Sequence, residues 1–258
     1  MIIAIGDIHG CKNELEKLFF EIKVKKPSLT IFLGDYVDRG SDVKGTIDSM
    51  LEYASENKSI FLLGNHDDMA RSMLFNDKRY KRDIWRKQGA EQTLKSLAGF
   101  YDENISDYSK YVKYIDEKYL NFLKKLNTIY YIKNDYIFVH AGIRDFNKDI
   151  ENQDEDYEIN IIEDPKDIYH SYVWERNTFF SHKNKYKNYI IVHGHTPTVA
   201  LDRWGFEITE EDYNKPFFRK NDNDELISID VDTGAVYGYS LSAILIEEGK
   251  FETISIKV

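Results

Sequence analysis

Residues 2–10 read Ile-Ile-Ala-Ile-Gly-Asp-Ile-His-Gly, and the same grammar returns twice before residue 68. Thr30-Ile31-Phe32-Leu33 runs into Gly34-Asp35, and Ser59-Ile60-Phe61-Leu62-Leu63 runs into Gly64-Asn65. Each is a short apolar run closed by glycine and a polar residue, as expected of a buried strand ending at a turn. Two helical stripes lie between them. Leu15, Leu18, Phe19 and Ile22 repeat at i, i+3, i+4 and i+7, and Val43, Ile47, Met50, Leu51 and Ala54 form the second. This β-α-β-α-β order predicts parallel strands joined by right-handed crossovers. The polar residues then collect at the C-terminal edge of the sheet, where open α/β sheets bind ligands.

Beyond residue 68 the chain reads as mostly helical to 126, and Tyr108, Tyr111, Val112, Ile115, Tyr119, Phe122, Leu123 and Leu126 form one sustained apolar face destined for the core. Strands are expected at 129–132, 136–139, 190–193, 226–231, 241–247 and 251–258. The pattern predicts an α/β fold of two packed mixed β-sheets flanked by helices. No repeat or linker divides it, so one domain is expected over 1–258. Two stretches read as loop insertions. Residues 145–164 hold nine acidic residues against one lysine, and 202–225 mix charges with Trp204, Phe206, Phe217 and Phe218. They are read as solvated surface or as a rim beside the site.

Composition narrows the function classes. The formal charge of −10 argues against a concentrated basic face and so against a nucleic-acid duplex as partner. A single cysteine, Cys11, cannot form an intrachain disulfide. It is read as a small packing residue at a helix start. No leader and no run of ~18 apolar residues are present, so a cytoplasmic location without a membrane partner is expected.

The chemistry sits at the strand ends. Asp7 and His9 follow the first strand, Asp35, Asp38 and Arg39 the second, and Asn65, His66 and Asp67 the third. His140, in Val-His-Ala-Gly, and His195, in Gly-His-Thr-Pro, follow later strands. Carboxylate oxygen and imidazole nitrogen without sulfur suit a divalent ion such as Mn²⁺, Fe²⁺ or Zn²⁺. Asp7, His9, Asp35, Asn65, His140 and His195 are too many ligands for one tetrahedral ion. They are enough for two if one carboxylate bridges them, and two such ions can activate water and clamp a phosphoryl group.

The segments GDIHG (6–10), GDYVDRG (34–40), GNHD (64–67), HAG (140–142) and GHT (194–196) resemble those of the calcineurin-like metallophosphoesterases. VDRG is similar to the phosphoprotein phosphatase branch, which includes bacterial and phage serine/threonine phosphatases. Trp174-Glu175-Arg176 resembles that branch's Trp-x-Arg segment, and Ile229 to Ala235 its IDTGA strand end. The resemblance implies a four-layer αββα sandwich and two divalent ions, manganese first, with iron or zinc as alternatives. It implies Asp7, His9 and Asp35 at one ion and Asn65, His140 and His195 at the other, with Asp35 bridging. His66 matches the imidazole that protonates the leaving oxygen and Asp38 the carboxylate that orients it. Arg39 and Arg176, with Asn65, match the phosphate-binding residues. The implied reaction is direct in-line hydrolysis by a metal-activated hydroxide, with no phosphoenzyme.

The leading expectation is therefore a phosphomonoesterase acting on a phosphorylated protein or peptide, chiefly at serine and threonine and also at tyrosine. The alternative is a dinucleoside polyphosphate hydrolase, since such relatives share the GDxHG, GNHD and HAG segments. A phosphodiesterase is disfavoured by two arginines suited to a terminal phosphate. A non-catalytic scaffold on this fold would be expected to lack His66, Asp38 or several ligands, and none is missing. Leu63, Asp67, Ser41 and Tyr239 depart from the family pattern outside the expected ligand set. His193 is read as a strand residue beside the site, and His170 and His182 as loop or surface residues.

Overall fold

The computed structural model describes residues 1–77, 79–144 and 172–258. In the first sheet β1 (Ile2–Ile5), β2 (Leu29–Phe32) and β3 (Ser59–Phe61) are parallel, as the glycine-terminated runs predict. On the other side of β1, β9 (Ser240–Glu247) pairs antiparallel, and β10 (Lys250–Lys257) completes the order β10-β9-β1-β2-β3. The second sheet is also mixed. Parallel β5 (Tyr136–Val139), β6 (Ile190–His193) and β8 (Leu226–Asp230) lie between antiparallel β4 (Tyr130–Lys133) and β7 (Phe217–Lys220), in the order β4-β5-β6-β8-β7.

β1 is apolar at every position because both of its faces are covered. Ile2 and Ala4 join Ile31, Phe138, Val192 and Ile229 in the layer between the sheets. Ile3 and Ile5 face outward onto Leu15, Leu18 and Ile22 of α1 (Lys12–Lys23). α2 (Val43–Glu56), with its Asp42 side chain accepting the Gly45 N–H at 2.8 Å, is the second crossover. α3 (Asn65–Phe75) starts directly at the end of the β3 segment. Six parallel strands, three from each sheet, thus end on one side and point their following loops at one place.

Two expectations are corrected. The stripe Tyr108–Leu126 is not one helix but a 3₁₀ turn, Tyr108–Tyr114, followed by α6 (Glu117–Lys125). Asp107 and Asp116 explain the break, because each side chain accepts a local N–H, from Ser109 at 3.1 Å and Lys118 at 2.8 Å, and starts a new segment. The stripe still reaches the core, where Tyr111, Phe122 and Leu123 are buried. The range 202–225, expected as a loop, contains β7. Its Arg219 is buried and donates to the carbonyls of Phe179, Phe180 and His182. Those carbonyls lie at and just beyond the end of α7 (Asn177–Ser181), which β7 thereby ties to the second sheet. The range 145–164 lies outside the described residues. Among those described, α4 (Arg82–Gln88) and α5 (Ala90–Ala98) complete the α-helices, and no helix is long and apolar enough to cross a membrane.

Candidate metal centre

The first three strand-end loops are knitted by their own backbone. The N–H groups of Ile8 and His9 donate to the Asp35 carbonyl at 3.1 and 2.9 Å, and Gly10 N–H donates to Tyr36 O at 3.1 Å. Asp67 gathers the rest, its two oxygens accepting from the N–H groups of Asp35, Tyr36, Val37 and Gly64 at 2.7–3.3 Å. A Cβ on Gly64 would fall 2.1 Å from Asp35 Oδ1, so no other residue lets α3 start this close to that carboxylate. His9, Asp35, Asp38, Arg39 and His195 all hold left-handed backbone, with φ of 46°, 55°, 70°, 66° and 71°. Such conformations cost non-glycine residues about 1 kcal/mol or more each. They persist here because the surrounding hydrogen bonds fix the loops, and they aim these side chains at a common centre.

Asp35 is that centre. His9 Nε2 faces its Oδ2 at 3.4 Å, and His140 Nε2 faces its Oδ1 at 3.4 Å. Each imidazole donates from Nδ1 to a backbone carbonyl, His9 to Val37 at 2.7 Å and His140 to Leu33 at 2.8 Å. Those bonds set the tautomer and leave an Nε2 lone pair on the Asp35 side. Burial holds both imidazoles below the usual histidine range, with the neighbouring His66 charge adding to the effect at His9. Asn65 Oδ1 lies 3.0 Å from His140 Nε2, two acceptor atoms facing one another. His195 Nε2 is buried with no hydrogen-bond partner, and burial followed by the Arg176 charge pushes its pKa well down.

Ligand atoms of Asp35, His140 and His195 lie within 4.8 Å of one another, and so do those of His9, Asp35 and His66. Two three-residue groups sharing one carboxylate, facing acceptors and an orphaned imidazole nitrogen fit a pair of divalent cations. Asp7 accepts the His195 N–H at 3.0 Å, and burial followed by the charges of Asp232 and Asp35 raises its pKa well above the carboxylate range.

His66 is differently tied. Its Nδ1 donates to Asp38 Oδ2 at 2.8 Å, and its Nε2 is 4.0 Å from Asp35 Oδ2. Arg39 donates to His9 Nε2 at 3.0 Å and to Gln88 Oε1 at 3.2 Å, with its guanidinium 5.4 Å from the Tyr237 ring centroid. Arg176 donates to Thr196 Oγ1 at 2.9 Å and His195 O at 3.1 Å, its guanidinium 5.8 Å from the Trp204 centroid. The two arginines, with His195, Arg203, Trp204 and Tyr237, line a cleft of about 790 Å³.

The buried carboxylates make a stability prediction. Burial pushes Asp232 up to about 7, and burial with the neighbouring Asp232 and Asp35 charges raises Asp7 well above the usual carboxylate range. Groups raised in the fold hold protons that the unfolded chain releases above pH ~4, so the metal-free protein loses stability as pH rises from about 4 through 7. A divalent cation held by Asp7 would replace the proton there, and its charge would disfavour the proton on the neighbouring Asp232. At a hundredfold excess over Kd one site adds about 2.7 kcal/mol, or roughly 5–10 °C in Tm for a chain of this size. The expected Mn²⁺-induced rise is that large at pH 8 and clearly smaller at pH 5. Equal rises in thermal melts at the two pH values would contradict the linkage.

Of the residues expected from sequence, Asp35, His9, His140, His195 and Asn65 meet around one carboxylate, and Asp7 packs on the backbone of His195. His66 shares one group of ligand atoms with His9 and Asp35 as well as its bond to Asp38. Cys11 has its thiol pushed up to about 12 by burial, so it stays protonated, as a packing residue would. His193 packs edge-on against Phe179 at 4.9 Å and donates to Gly194 O, outside both ligand groups. The His182 carbonyl receives Arg219, and His170 lies outside the described residues. The loop-tying role of Asp67, and the contacts of Trp85 and Thr93 with Asp38, were not foreseen. Only the position of Asp67 next to His66 offered a signal.

The sequence profile of the calcineurin-like phosphoesterase family matches residues 1–229, and the chain belongs to that family. It is 26% identical over 152 residues to an asymmetrical bis(5'-nucleosyl)-tetraphosphatase, PrpE, of Oceanobacillus iheyensis. That alignment covers 55% of this chain and 56% of the relative, so the chain matches about half of that protein's length. Among solved structures, a protein serine/threonine phosphatase of Saccharomyces cerevisiae is similar with a TM-score of 0.55 at 15% identity, over 100% of this chain and 79% of that one. A cold-active protein-tyrosine phosphatase of a Shewanella species gives 0.53 at 18% identity, over 99% and 80%. These two likenesses concern the fold.

Proposed function

We propose that this calcineurin-like phosphoesterase is a two-metal phosphomonoesterase acting on phosphorylated side chains, chiefly serine and threonine. The observation that carries the reading is Asp35, each of whose oxygens faces the Nε2 of a different histidine at 3.4 Å. His9 and Asp7 would hold one ion with Asp35, and Asn65, His140 and His195 the other. Two divalent ions there supply a water activated at neutral pH and neutralisation of phosphoryl charge. Nitrogen and oxygen donors suit manganese, iron or zinc.

Arg39 and Arg176, on the cleft side of His9 and His195, hold the phosphate oxygens through their guanidinium N–H groups. His66, its Nδ1–H fixed on Asp38, presents Nε2 to the leaving oxygen and gives it a proton. That proton matters most for an alkoxide, the poorest leaving group in the class, which is why the His66–Asp38 pair favours a serine or threonine phosphoester over an anhydride.

A second reading, hydrolysis of dinucleoside polyphosphates, is favoured by the cleft itself. Arg203 extends the positive lining beyond Arg176, and Trp204 and Tyr237 offer ring faces on which a base can stack. The similarity to the Oceanobacillus iheyensis protein supports it as well. Mn²⁺-dependent phosphate release from a phosphoserine peptide, a phosphotyrosine peptide and diadenosine tetraphosphate separates the two. Turnover of the phosphoserine peptide is expected to exceed that of the dinucleotide by about 10-fold or more, roughly 1.4 kcal/mol in barrier. Turnover confined to the dinucleotide would replace the first reading by the second.

A further inference from the structure

The Asp38 carboxylate is completely buried, and apart from His66 its side-chain partners come from a part of the chain that carries no strand-end motif. The indole N–H of Trp85, in α4, donates to both Asp38 oxygens at 3.0 and 2.9 Å. The hydroxyl of Thr93, in α5, donates to Asp38 Oδ1 at 2.6 Å and accepts the N–H of Asp38 itself at 2.9 Å. Trp85 and Thr93 are themselves fully buried, the indole edge-on to Tyr108 at 5.2 Å. Gln88, one turn on from Trp85, accepts from Arg39.

The elbow between the two helices is Gly89, at φ +123°, where a Cβ would stand 2.5 Å from Arg39 N and 2.8 Å from Asp38 Cβ. Only glycine lets the hairpin rest on this backbone. Residues 85, 88, 89 and 93 therefore form one face closed over Asp38 and Arg39, two residues held in left-handed backbone.

A carboxylate bonded by Trp85, Thr93 and His66 has a single orientation. Without the first two it can rotate, and the Nδ1–H of His66 loses a fixed acceptor. The imidazole plane, and with it the direction of Nε2, is then no longer set. We infer that Trp85 and Thr93 are positioning residues that act through Asp38 to aim His66, and that the α4–Gly89–α5 hairpin exists in this chain to hold that aim. The inference rests on the proposed role of His66 as proton donor.

The test compares substrates that differ in their need for a proton. Thr93→Val and Trp85→Phe are each assayed with Mn²⁺ on a phosphoserine peptide and on p-nitrophenyl phosphate, whose activated aryl oxide leaves unaided. Misaiming a general acid forfeits part of its 10²–10⁴-fold contribution. The peptide rate is therefore expected to fall about 10-fold further than the aryl rate in each variant, mainly in kcat. Thr93→Ser, which keeps the hydroxyl, is expected to restore the ratio. In an Asp38→Asn background Trp85→Phe is expected to change the ratio no further, because both act through one carboxylate. Equal losses on both substrates, or full additivity with Asp38→Asn, would overturn the inference and leave a packing role. His66→Asn run alongside keeps the two claims apart. If it lacks the substrate dependence, the proton-donor reading fails; if it has the dependence and the hairpin variants do not, the positioning role alone fails. Should Trp85→Phe not fold, as judged by circular dichroism, the Thr93 pair decides.

Discussion

Asparagine in place of Asp35 is expected to lower phosphate release by roughly 10³-fold, about 4 kcal/mol in barrier, and to take at least one ion out of the centre. The side chain keeps its shape but loses its charge and one acceptor. Which acceptor it loses follows from the hydrogen bonds. Oδ1 receives the His66 backbone N–H at 2.9 Å, so the amide oxygen of the variant settles there. Its NH₂ group then faces His9 Nε2 on the Oδ2 side, where no cation can share it. The site on the His9 side should empty first, while Asn65, His140 and His195 retain a weakened second site. Metal content by mass spectrometry, measured beside activity, is expected to fall from two ions to one. Two retained ions with wild-type turnover would remove Asp35 from the bridging role and the two-metal reading with it.

How much of this was readable in the sequence depends on how local each feature is. The strands at 2–5, 29–32 and 59–61 announce themselves because a buried parallel strand needs a continuous apolar run and a tight exit. Their exits place Asp7, His9, Asp35 and Asn65 within a few residues of the strands that carry them. His140 and His195 were legible for the same reason. What was not legible depends on tertiary contact.

Trp85 and Thr93 look like ordinary positions on amphipathic helices, and nothing local says that one donates an indole N–H and the other a hydroxyl to Asp38. The periodicity of 108–126 reports burial correctly but not continuity, since Asp107 and Asp116 can cap as readily as they can face solvent. In 202–225 the charges suggest a loop, yet β7 pairs there because Arg219 finds three carbonyls and half-buried Phe217 packs against the core. The left-handed backbone at five site residues is a further feature that composition cannot convey. It arises only when the loops after β1, β2 and β6 are forced together, and it is what aims the residues of those three motifs at one centre.

Asparagine at His66 is expected to lower turnover of a phosphoserine peptide by about 10²–10⁴-fold, and that of p-nitrophenyl phosphate far less. Two ions should remain bound. The combination matters because the geometry by itself admits a competing role. His66, Asp35 and His9 present ligand atoms within 4.8 Å of one another, so His66 is near enough to be considered a ligand. Two details speak for proton transfer. Its Nε2 lies 4.0 Å from Asp35 Oδ2, against 3.4 Å for His9 on the same oxygen. Its Nδ1–H is given to a carboxylate, where His9 and His140 give theirs to backbone carbonyls. That carboxylate is itself buried and fixed by Trp85 and Thr93, so it sets the plane of the His66 ring and the direction of Nε2. A ligand would also be lost with its ion. If His66→Asn leaves the protein with one ion, or slows both substrates equally, His66 belongs to the metal centre and the leaving group takes its proton from elsewhere. If the two ions stay and only the alkyl ester slows, the Asp38-held imidazole is the acid.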